Sequence, residues 1–317
     1  MTTRRSYLKS ISALSAGIAA TGLQPLLAKT TDHSGSDQSE RKIYVFSKHL
    51  QWLDYAEMSE VARSIGFDGV DITVRPKGHV LPENVKKDLP EAIRAIKDKG
   101  LAADRMTTAI ISADDPLTLD ILETASEQGI TSYRMGWLDY DPSISIQNNI
   151  EQCNSQLSKL AELNKSLGLK ASYQNHAGEM VGAPIWDIGL MLDGIDKEYM
   201  GIRYDIRHAT VEGGLSWPLG LKFVVSRINS FDIKDFIWKE SDGKWQPFNV
   251  QLGDGMVDFD RYFQIIKEYN IPGDFTIHLE YPIGGAEHGV TKLTGSPDQV
   301  VSAMKHDLSV LKDLITQ

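Results

Sequence analysis

Four stretches in the second half of the chain carry ionisable or amide side chains at alternate positions near the end of an apolar run. They are residues 171–176, 201–208, 228–235 and 275–280. Side chains alternate between the two faces of a strand, so Gln174 shares a face with His176, and His278 shares one with Glu280. An unpaired charge in a core position costs several kcal/mol, so these groups must meet polar partners. Imidazoles and carboxylates placed this way can hold a substrate's hydroxyl groups or transfer its protons.

The other two stretches hold acids and bases together on one face. The expected sets are Arg203, Asp205 and Arg207 on one strand, and Ser230, Asp232 and Lys234 on the next. Two explanations remain open for each acid. Asp205 either binds a ligand or forms a buried salt bridge with Arg203 or Arg207, and Asp232 either binds a ligand or pairs with Lys234.

These polar ends follow a regular alternation of strands and helices. Apolar runs at 43–46, 69–74, 103–110 and 132–138 precede the four stretches above, which makes eight in all. Helical spacing separates them, and helix-ending glycines such as Gly66 and Gly100 come directly before the next strand. Eight such units predict a parallel sheet closed into a (β/α)8 TIM barrel. An open doubly wound sheet is less favoured, because no Gly-x-Gly-x-x-Gly turn follows the first strand.

The amino terminus reads as an export signal rather than part of the barrel. Arg4 and Arg5 precede an Ala- and Gly-rich run that is too polar to span a membrane stably. We predict a twin-arginine signal peptide at 1–28, a polar linker at 29–41 and a single TIM-barrel domain at 42–317. This organisation predicts a periplasmic protein with no stable membrane insertion after the signal is removed.

Composition excludes several classes of function. The chain has 317 residues, 41% of them hydrophobic, and a formal net charge of −10. Removal of residues 1–28 takes away three basic residues and no acid, so the charge becomes −13, which disfavours a nucleic-acid partner. The single cysteine, Cys153, cannot form an internal disulfide. The sequence leaves the oligomeric state open.

Several motifs together resemble the xylose isomerase-like TIM barrels, a family that includes sugar isomerases, epimerases and some dehydratases. The motifs are residues 66–71 entering the second strand, Tyr173-Gln174-Asn175-His176, Asp205 with His208, Asp232-Ile233-Lys234-Asp235, and Glu280. The resemblance covers most of residues 43–315. It implies a TIM barrel that acts on a small carbohydrate substrate.

The resemblance also implies one divalent metal ion. Asp205 and Glu280 match two of the family's carboxylate ligands directly. Gln174 stands where the family has an acid or a histidine, and Asp232 stands where it has a histidine, so the usual charge of the ligand set is preserved. We therefore expect Gln174, Asp205, Asp232 and Glu280 to hold Mn²⁺ or Mg²⁺, with Co²⁺ or Zn²⁺ as alternatives.

The remaining candidates are expected to act on the substrate itself. For proton transfer and charge stabilisation we expect His176, His208, Lys234 and Glu280. Tryptophans can stack against the apolar face of a sugar while polar neighbours take its hydroxyl groups. The predicted substrate-binding residues are His49, Arg134, Trp137, Trp186, Arg207, Trp217, Trp238 and Glu287. For any single tryptophan, core or loop packing is the better explanation, but four of them on the carboxyl-end side of the barrel favour sugar stacking.

Three functions fit these residues. The first is a metal-dependent isomerase or epimerase that removes a proton next to the carbonyl of a non-phosphorylated sugar or keto-sugar. The second is a lyase that begins with the same step and eliminates a group from a 3-keto-glycoside. The third is an exported carbohydrate-binding barrel without catalysis. The sequence does not choose between the first two, since both begin with the same proton abstraction.

Overall fold

The computed structural model describes residues 41–316, and eight of its strands close into a parallel barrel. The barrel strands are β1 (Ile43–Phe46), β2 (Gly69–Val74), β3 (Arg105–Thr108), β4 (Ser132–Arg134), β5 (Lys170–Gln174), β6 (Met200–Asp205), β7 (Ile228–Ile233) and β10 (Asp274–Ile277). β1 pairs with both β2 and β10, which closes the ring. The predicted (β/α)8 TIM barrel is confirmed.

Helices surround the barrel and connect successive strands. They are α1 (Tyr55–Ile65), α2 (Val85–Asp98), α3 (Pro116–Glu127), α4 (Ile146–Leu167), α5 (Ile185–Met191), α6 (Ile206–Gly213), α7 (Trp217–Val224), α8 (Phe259–Glu268) and α9 (Pro297–Thr316). Their ends follow from local sequence. Asp54 and Glu57 form a capping box at the start of α1, and Gly66 ends that helix in the left-handed conformation that glycine adopts without strain.

A layer of aromatic side chains between the strands and α8 determines which way the polar residues face. Tyr262 of α8 lies with its ring 6.2 Å from that of Tyr204 and 6.1 Å from that of Phe231, and Phe231 stacks on Phe275 at 5.2 Å. These rings point outward from β6, β7 and β10. Because neighbouring residues of a strand face opposite sides, Asp205 and other alternate residues must point into the barrel.

Several predicted strands end earlier than their apolar pattern suggested. β6 stops at Asp205, whose carboxylate caps α6 by accepting a hydrogen bond from the backbone N–H of His208 at 3.1 Å. Arg207 and His208 therefore lie in the first turn of a helix, and the expectation that Arg207 continues the face of Arg203 and Asp205 is wrong. In the same way, His176 follows β5 and Glu280 follows β10.

A hairpin that the sequence analysis missed follows β7. It consists of β8 (Asp235–Ser241) and β9 (Lys244–Val250), which pair antiparallel outside the barrel. Asp242 and Gly243 make its turn with φ of 54° and 72°, and positive φ at both central residues is typical of a type I′ turn. The Asp-Gly pair was a readable hairpin signal.

The predicted signal peptide and all but the last residue of the predicted linker lie outside the described residues. Within residues 41–316, no helix combines the length and apolar character needed to cross a bilayer.

Candidate active site

A cavity of about 340 Å³ opens at the carboxyl ends of the barrel strands. Its walls come from the ends of six barrel strands (β1, β2, β4, β5, β7 and β10) and from the loop after β10. The lining residues are Phe46, Lys48, Arg75, Arg134, Trp137, Gln174, His176, Lys234, His278, Glu280, Glu287 and His288. A larger and more open depression of about 760 Å³ lies beside α4, but it holds none of the predicted site residues. The catalytic end of a TIM barrel is its carboxyl face, so the smaller cavity is the candidate site.

Lys234 lies at the centre of a group of residues that we call the lysine cluster: Lys234, Asp205, Glu280 and His208. Its Nζ is 3.1 Å from Asp205 Oδ2, 2.9 Å from Glu280 Oε2 and 2.9 Å from His208 Nε2. Burial alone would lower the pKa of Lys234, but Asp205 and Glu280 raise it above its ordinary value. The ammonium is therefore charged wherever the protein is folded near neutral pH.

Glu280 connects this cluster to the start of the barrel. Its other oxygen, Oε1, accepts a hydrogen bond from Lys48 Nζ at 3.0 Å. Burial would raise the pKa of Glu280, but the two ammonium groups of Lys234 and Lys48 hold it well below its usual value. A carboxylate thus lies between two cations at the wall of the cavity.

A second group, the arginine cluster, consists of Arg203, Asp71, Asp232 and His278. Arg203 Nη1 is 2.5 Å from Asp71 Oδ2, and Arg203 Nη2 is 2.5 Å from Asp232 Oδ1. Both carboxylates are completely buried. His278 Nε2 lies 3.1 Å from Asp232 Oδ1, and its Nδ1 lies 3.7 Å from Glu280 Oε1, so His278 stands between the two clusters.

These positions do not form the metal-binding set that the resemblance implied. A lysine ammonium already holds the position between Asp205, Glu280 and His208. Asp232 pairs with Arg203 and not with Lys234, and Gln174 directs its amide nitrogen at Asp205 Oδ2, at 2.9 Å. Within the described part of the chain, no three His, Cys, Asp or Glu residues converge on a common cation position. The donors therefore do not fit a divalent ion as they stand.

Two imidazoles lie close together beside Lys234. The rings of His176 and His208 are 4.0 Å apart, and Trp137 meets His176 edge-on at 4.8 Å. Burial, followed by repulsion from Lys234, lowers the pKa of His176 and brings that of His208 well below its usual value. Both rings are therefore neutral at neutral pH, as a proton acceptor must be.

The predicted substrate-binding residues separate into those at the cavity and those elsewhere. Arg134, Trp137 and Glu287 line it. Glu287 also fixes the loop after β10, because its carboxylate accepts hydrogen bonds from the backbone N–H groups of Ile283 and Gly285 at 3.0 and 2.9 Å. Glu287 therefore stabilises the loop in which it lies.

The other predicted contacts lie away from the cavity. His49 is fully buried and bonds to the backbone of Leu279 and Ala286, which is a structural role. Trp186 and Trp217 line a separate small depression. Trp238 stands on the hairpin, and Arg207 packs near Phe236 with its Nη1 3.0 Å from His208 Nδ1.

Sequence reasoning missed several groups that line the cavity or support it. Lys48, Arg75 and Phe46 lie at the ends of β1 and β2, and Asp71 belongs to the arginine cluster. A readable signal existed for the two basic residues, because each comes within two residues of the carboxyl end of a predicted strand.

A model of the xylose isomerase-like TIM barrel family matches residues 59–312. The match covers more than half of the chain, so the protein belongs to this family. The resemblance read from the motifs is confirmed. No curated protein sequence gave a match to the chain.

Solved structures share the fold at low sequence identity. D-allulose 3-epimerase from Methylomonas sp. superposes with a TM-score of 0.64 at 14% identity, covering 86% of this chain and 98% of that one. 3-keto-D-glucoside 4-epimerase from E. coli superposes with a TM-score of 0.63 at 15% identity, covering 86% of this chain and 100% of that one. IOLI protein with a bound zinc atom superposes with a TM-score of 0.66 at 15% identity, covering 87% of this chain and 98% of that one. At such identities the likeness shows the fold alone.

Proposed function

We propose that this protein is a sugar isomerase or epimerase that removes and returns a proton next to the carbonyl group of a keto-sugar. One observation carries the proposal: a charged lysine and the neutral imidazole of His176 face the same cavity at the carboxyl end of the barrel, and His208 contacts that lysine. Family membership and the epimerases among the similar folds support it. Export as expected from residues 1–28 would place the substrate outside the cytoplasm.

His176 is the best-placed base. Its Nδ1 lies 2.7 Å from the carbonyl oxygen of Ala177, so Nδ1 carries the proton and donates it. Nε2 then presents a lone pair, and the lowered pKa keeps that lone pair free near neutral pH. A proton taken from a carbon next to a carbonyl can be received there.

Lys234 supplies the positive charge for the enolate oxygen that forms when the proton leaves. Asp205, Glu280 and His208 hold its ammonium in place, so the charge needs no reorganisation during the reaction. Lys48 provides a second ammonium on the other oxygen of Glu280. Glu280 lines the same cavity as an ionised carboxylate that positions both ammonium groups, and the proton that returns to the carbon comes from the imidazolium formed on His176.

Proton exchange in heavy water tests the proposal directly. Keto-hexoses and 3-keto-glycosides are incubated with the protein in D₂O and followed by NMR. We expect deuterium at a carbon next to the carbonyl and the appearance of an epimer or isomer. His176→Asn and Lys234→Met should each reduce the exchange by about 10²-fold or more. Lys159→Met, which changes an exposed lysine paired with Asp114 far from the cavity, should leave it unchanged.

The same assay separates the alternatives. Release of the aglycone from a 3-keto-glycoside, without an epimer, would replace the proposal by the β-elimination reaction. Saturable binding of these sugars without any deuterium uptake would point to the non-catalytic carbohydrate-binding protein. Exchange that continues unchanged in His176→Asn would remove that residue from the role of base.

A further inference from the structure

The cavity is basic although the protein is acidic. Its lining includes four basic residues and two acidic ones, whereas the whole chain carries a net charge of −10. Lys48 and Lys234 both pair with Glu280. The other two basic residues, Arg75 and Arg134, have no carboxylate of the described chain within 4 Å of their guanidinium nitrogens. The excess positive charge of the cavity therefore belongs to these two arginines.

Arg134 is the more unusual of the two. It ends β4 with 3% of its surface exposed, and its Nε and Nη1 atoms have no hydrogen-bond partner within the described residues. Within residues 41–316, the one hydrogen bond of its side chain runs from Nη2 to the carbonyl oxygen of Thr108 at 3.5 Å, the limit of such a contact. A guanidinium has five N–H donors in a rigid fork, so most of its binding capacity is unused.

The surroundings hold Arg134 ready for a partner. Its guanidinium lies over the ring of Trp137, 4.2 Å from the ring centre, and the indole N–H of Trp137 is anchored on the carbonyl oxygen of Gln174 at 3.2 Å. Burial, then repulsion from Arg75 and Arg203, lowers the pKa of Arg134 to about 9. The side chain is thus still a cation near neutral pH.

Buried charges are normally paired, and an unpaired one beside a cavity indicates a missing counterion. Arg75 follows β2 and packs over the ring of Phe46, 5.5 Å from its centre, which leaves its charge without a carboxylate as well. Two guanidinium groups that share one cavity wall match the oxygens of a carboxylate or a phosphate, since both present paired acceptors to the fork.

We propose that Arg134 and Arg75 form an anion subsite that binds an acidic oxygen group of the substrate. This inference rests on the proposed function and deepens it: the keto-sugar carries a carboxylate, as in a uronic acid, or a phosphate. The anion orients the sugar so that its carbonyl faces Lys234 and its acidic C–H faces His176.

Titration calorimetry at low ionic strength tests the subsite with probes of matched shape. The probes are D-glucuronate, D-glucose 6-phosphate and neutral D-glucose. We expect at least one anionic probe to bind tenfold or more tightly than D-glucose, and this preference to shrink as salt is added. Tighter binding of the glucuronate identifies a carboxylate, and tighter binding of the phosphate ester identifies a phosphate. Equal binding of all three probes would overturn the inference.

Two substitutions locate the effect. Arg134→Met and Arg75→Met should each reduce the preference for the anionic probe at least tenfold and leave the binding of D-glucose unchanged. Arg63→Met, on the exposed side of α1, is the matched control and should change neither. A substitution at Arg134 that weakens the neutral and anionic probes equally would overturn the inference.

Stability distinguishes a ligand-binding arginine from a structural one. The guanidinium of Arg134 has no carboxylate to lose, so Arg134→Met should unfold at the same temperature as the wild type or at a higher one. A marked decrease in the melting temperature would show that Arg134 holds the fold, and would overturn the inference.

The inference and the proposed function can fail separately. Deuterium exchange into a neutral keto-sugar, with no preference for anions, would leave the proposed function standing without the subsite. Tight, Arg134-dependent binding of D-glucuronate, with no exchange into any keto-sugar or keto-acid, would leave the subsite standing without the proposed chemistry.

Discussion

The lysine cluster and the arginine cluster are built from the same components. In each, one cation lies between two carboxylates and meets an imidazole: Lys234 with His208 at 2.9 Å, and Arg203 with His278 at 3.3 Å. Their surroundings differ. The carboxylates paired with Arg203, those of Asp71 and Asp232, are fully buried, whereas the side chain of Glu280, paired with Lys234, is 24% exposed at the cavity wall.

This difference in exposure accompanies a difference in the chemistry of the two cations. A guanidinium forms rigid, forked hydrogen bonds and holds two strands of a barrel together without exchanging partners. An ammonium is a compact charge that can turn from one oxygen to another, which suits a group that must meet a developing negative charge. We therefore expect the same charge pattern to stabilise the barrel where it is sealed and, under the proposed function, to serve the reaction where it is open.

Removal of the sealed cation should have the largest effect on stability. Arg203→Met leaves Asp71 and Asp232 buried without their cation, which we expect to cost about 3–5 kcal/mol in the free energy of unfolding. Urea unfolding followed by circular dichroism measures it. Arg203→Lys should fall between the variant and the wild type, because it keeps the charge and loses the fork. A loss below about 1 kcal/mol would show that the arginine cluster does not hold the barrel together.

Removal of the open cation should act mainly on the reaction. Lys234→Met should cost less stability, about 1–3 kcal/mol, because Glu280 keeps Lys48 and some contact with water. Deuterium exchange into the substrate should fall by about 10²–10³-fold, the usual effect of losing a group that stabilises an oxyanion. Equal losses of stability in Lys234→Met and Arg203→Met would contradict the contrast between the clusters.

Replacement of Lys234 by a smaller residue should turn the lysine cluster into a metal site. Lys234→Ala frees the space between Asp205, Glu280 and His208, whose oxygen and imidazole ligands suit Mn²⁺ or Zn²⁺. We expect one equivalent of added Mn²⁺ in this variant by elemental analysis, with a rise in melting temperature of a few degrees.

The metal experiment has two controls. Lys48→Ala keeps Lys234 in the cluster and should bind no metal. Treatment of the wild type with a chelator should change neither its melting temperature nor its exchange activity. Stoichiometric metal in the wild type, lost on chelation together with activity, would return the site to the metal-binding set expected from the resemblance.

The two clusters should also respond to different ranges of pH. The lowered pKa values of His176 and His208 keep both rings neutral in the folded protein, while the unfolded chain protonates them below about pH 6.5. The unfolded state then binds more protons, so the free energy of unfolding falls as pH drops below 6.5. In the arginine cluster, burial would raise the pKa of Asp232, but Arg203 lowers it, so its contribution is lost only below about pH 4.

Urea unfolding at pH 7.5, 6.5 and 5.5 checks this smallest effect. His208→Asn should reduce the loss of stability between pH 7.5 and 5.5 by about 1 kcal/mol relative to the wild type. The comparison is made between two proteins that both keep Asp307, whose pKa is raised to about 6 by burial, so its opposite contribution cancels. Parallel curves for the two proteins would show that His208 is not neutral in the folded state.

The alternation of strands and helices was enough to predict the barrel. Each strand and each helix is a local pattern of apolar residues, and eight repeats leave few ways to close a sheet. The local ends were also readable: Asp205 precedes a helix as a capping residue, and Asp242-Gly243 marks the hairpin turn. These ends were missed because the alternating pattern of each strand was extended past them.

The pairing within the site was not readable in the same way. Asp205 and Asp232 are partners in the register of β6 and β7, yet one meets Lys234 and the other meets Arg203. Asp71 completes the arginine cluster from 132 residues before Arg203 in the chain. Which carboxylate meets which cation depends on the closure of the barrel, and no local pattern records that.

The hairpin of β8 and β9 begins directly after Lys234. Lys234 is the single residue between β7 and β8, and Asn249 of β9 donates a hydrogen bond to the carbonyl oxygen of Glu280 at 3.1 Å. The Asp235 carboxylate fixes the end of the hairpin next to the barrel, because it accepts hydrogen bonds from the backbone N–H groups of Phe236 and Gly255, on either side of the hairpin. The seven residues of β8 extend about 23 Å from Asp235 to the turn at Asp242 and Gly243, next to the exposed Trp245. A partner that binds the hairpin tip would therefore contact strands whose other end adjoins the Lys234 ammonium.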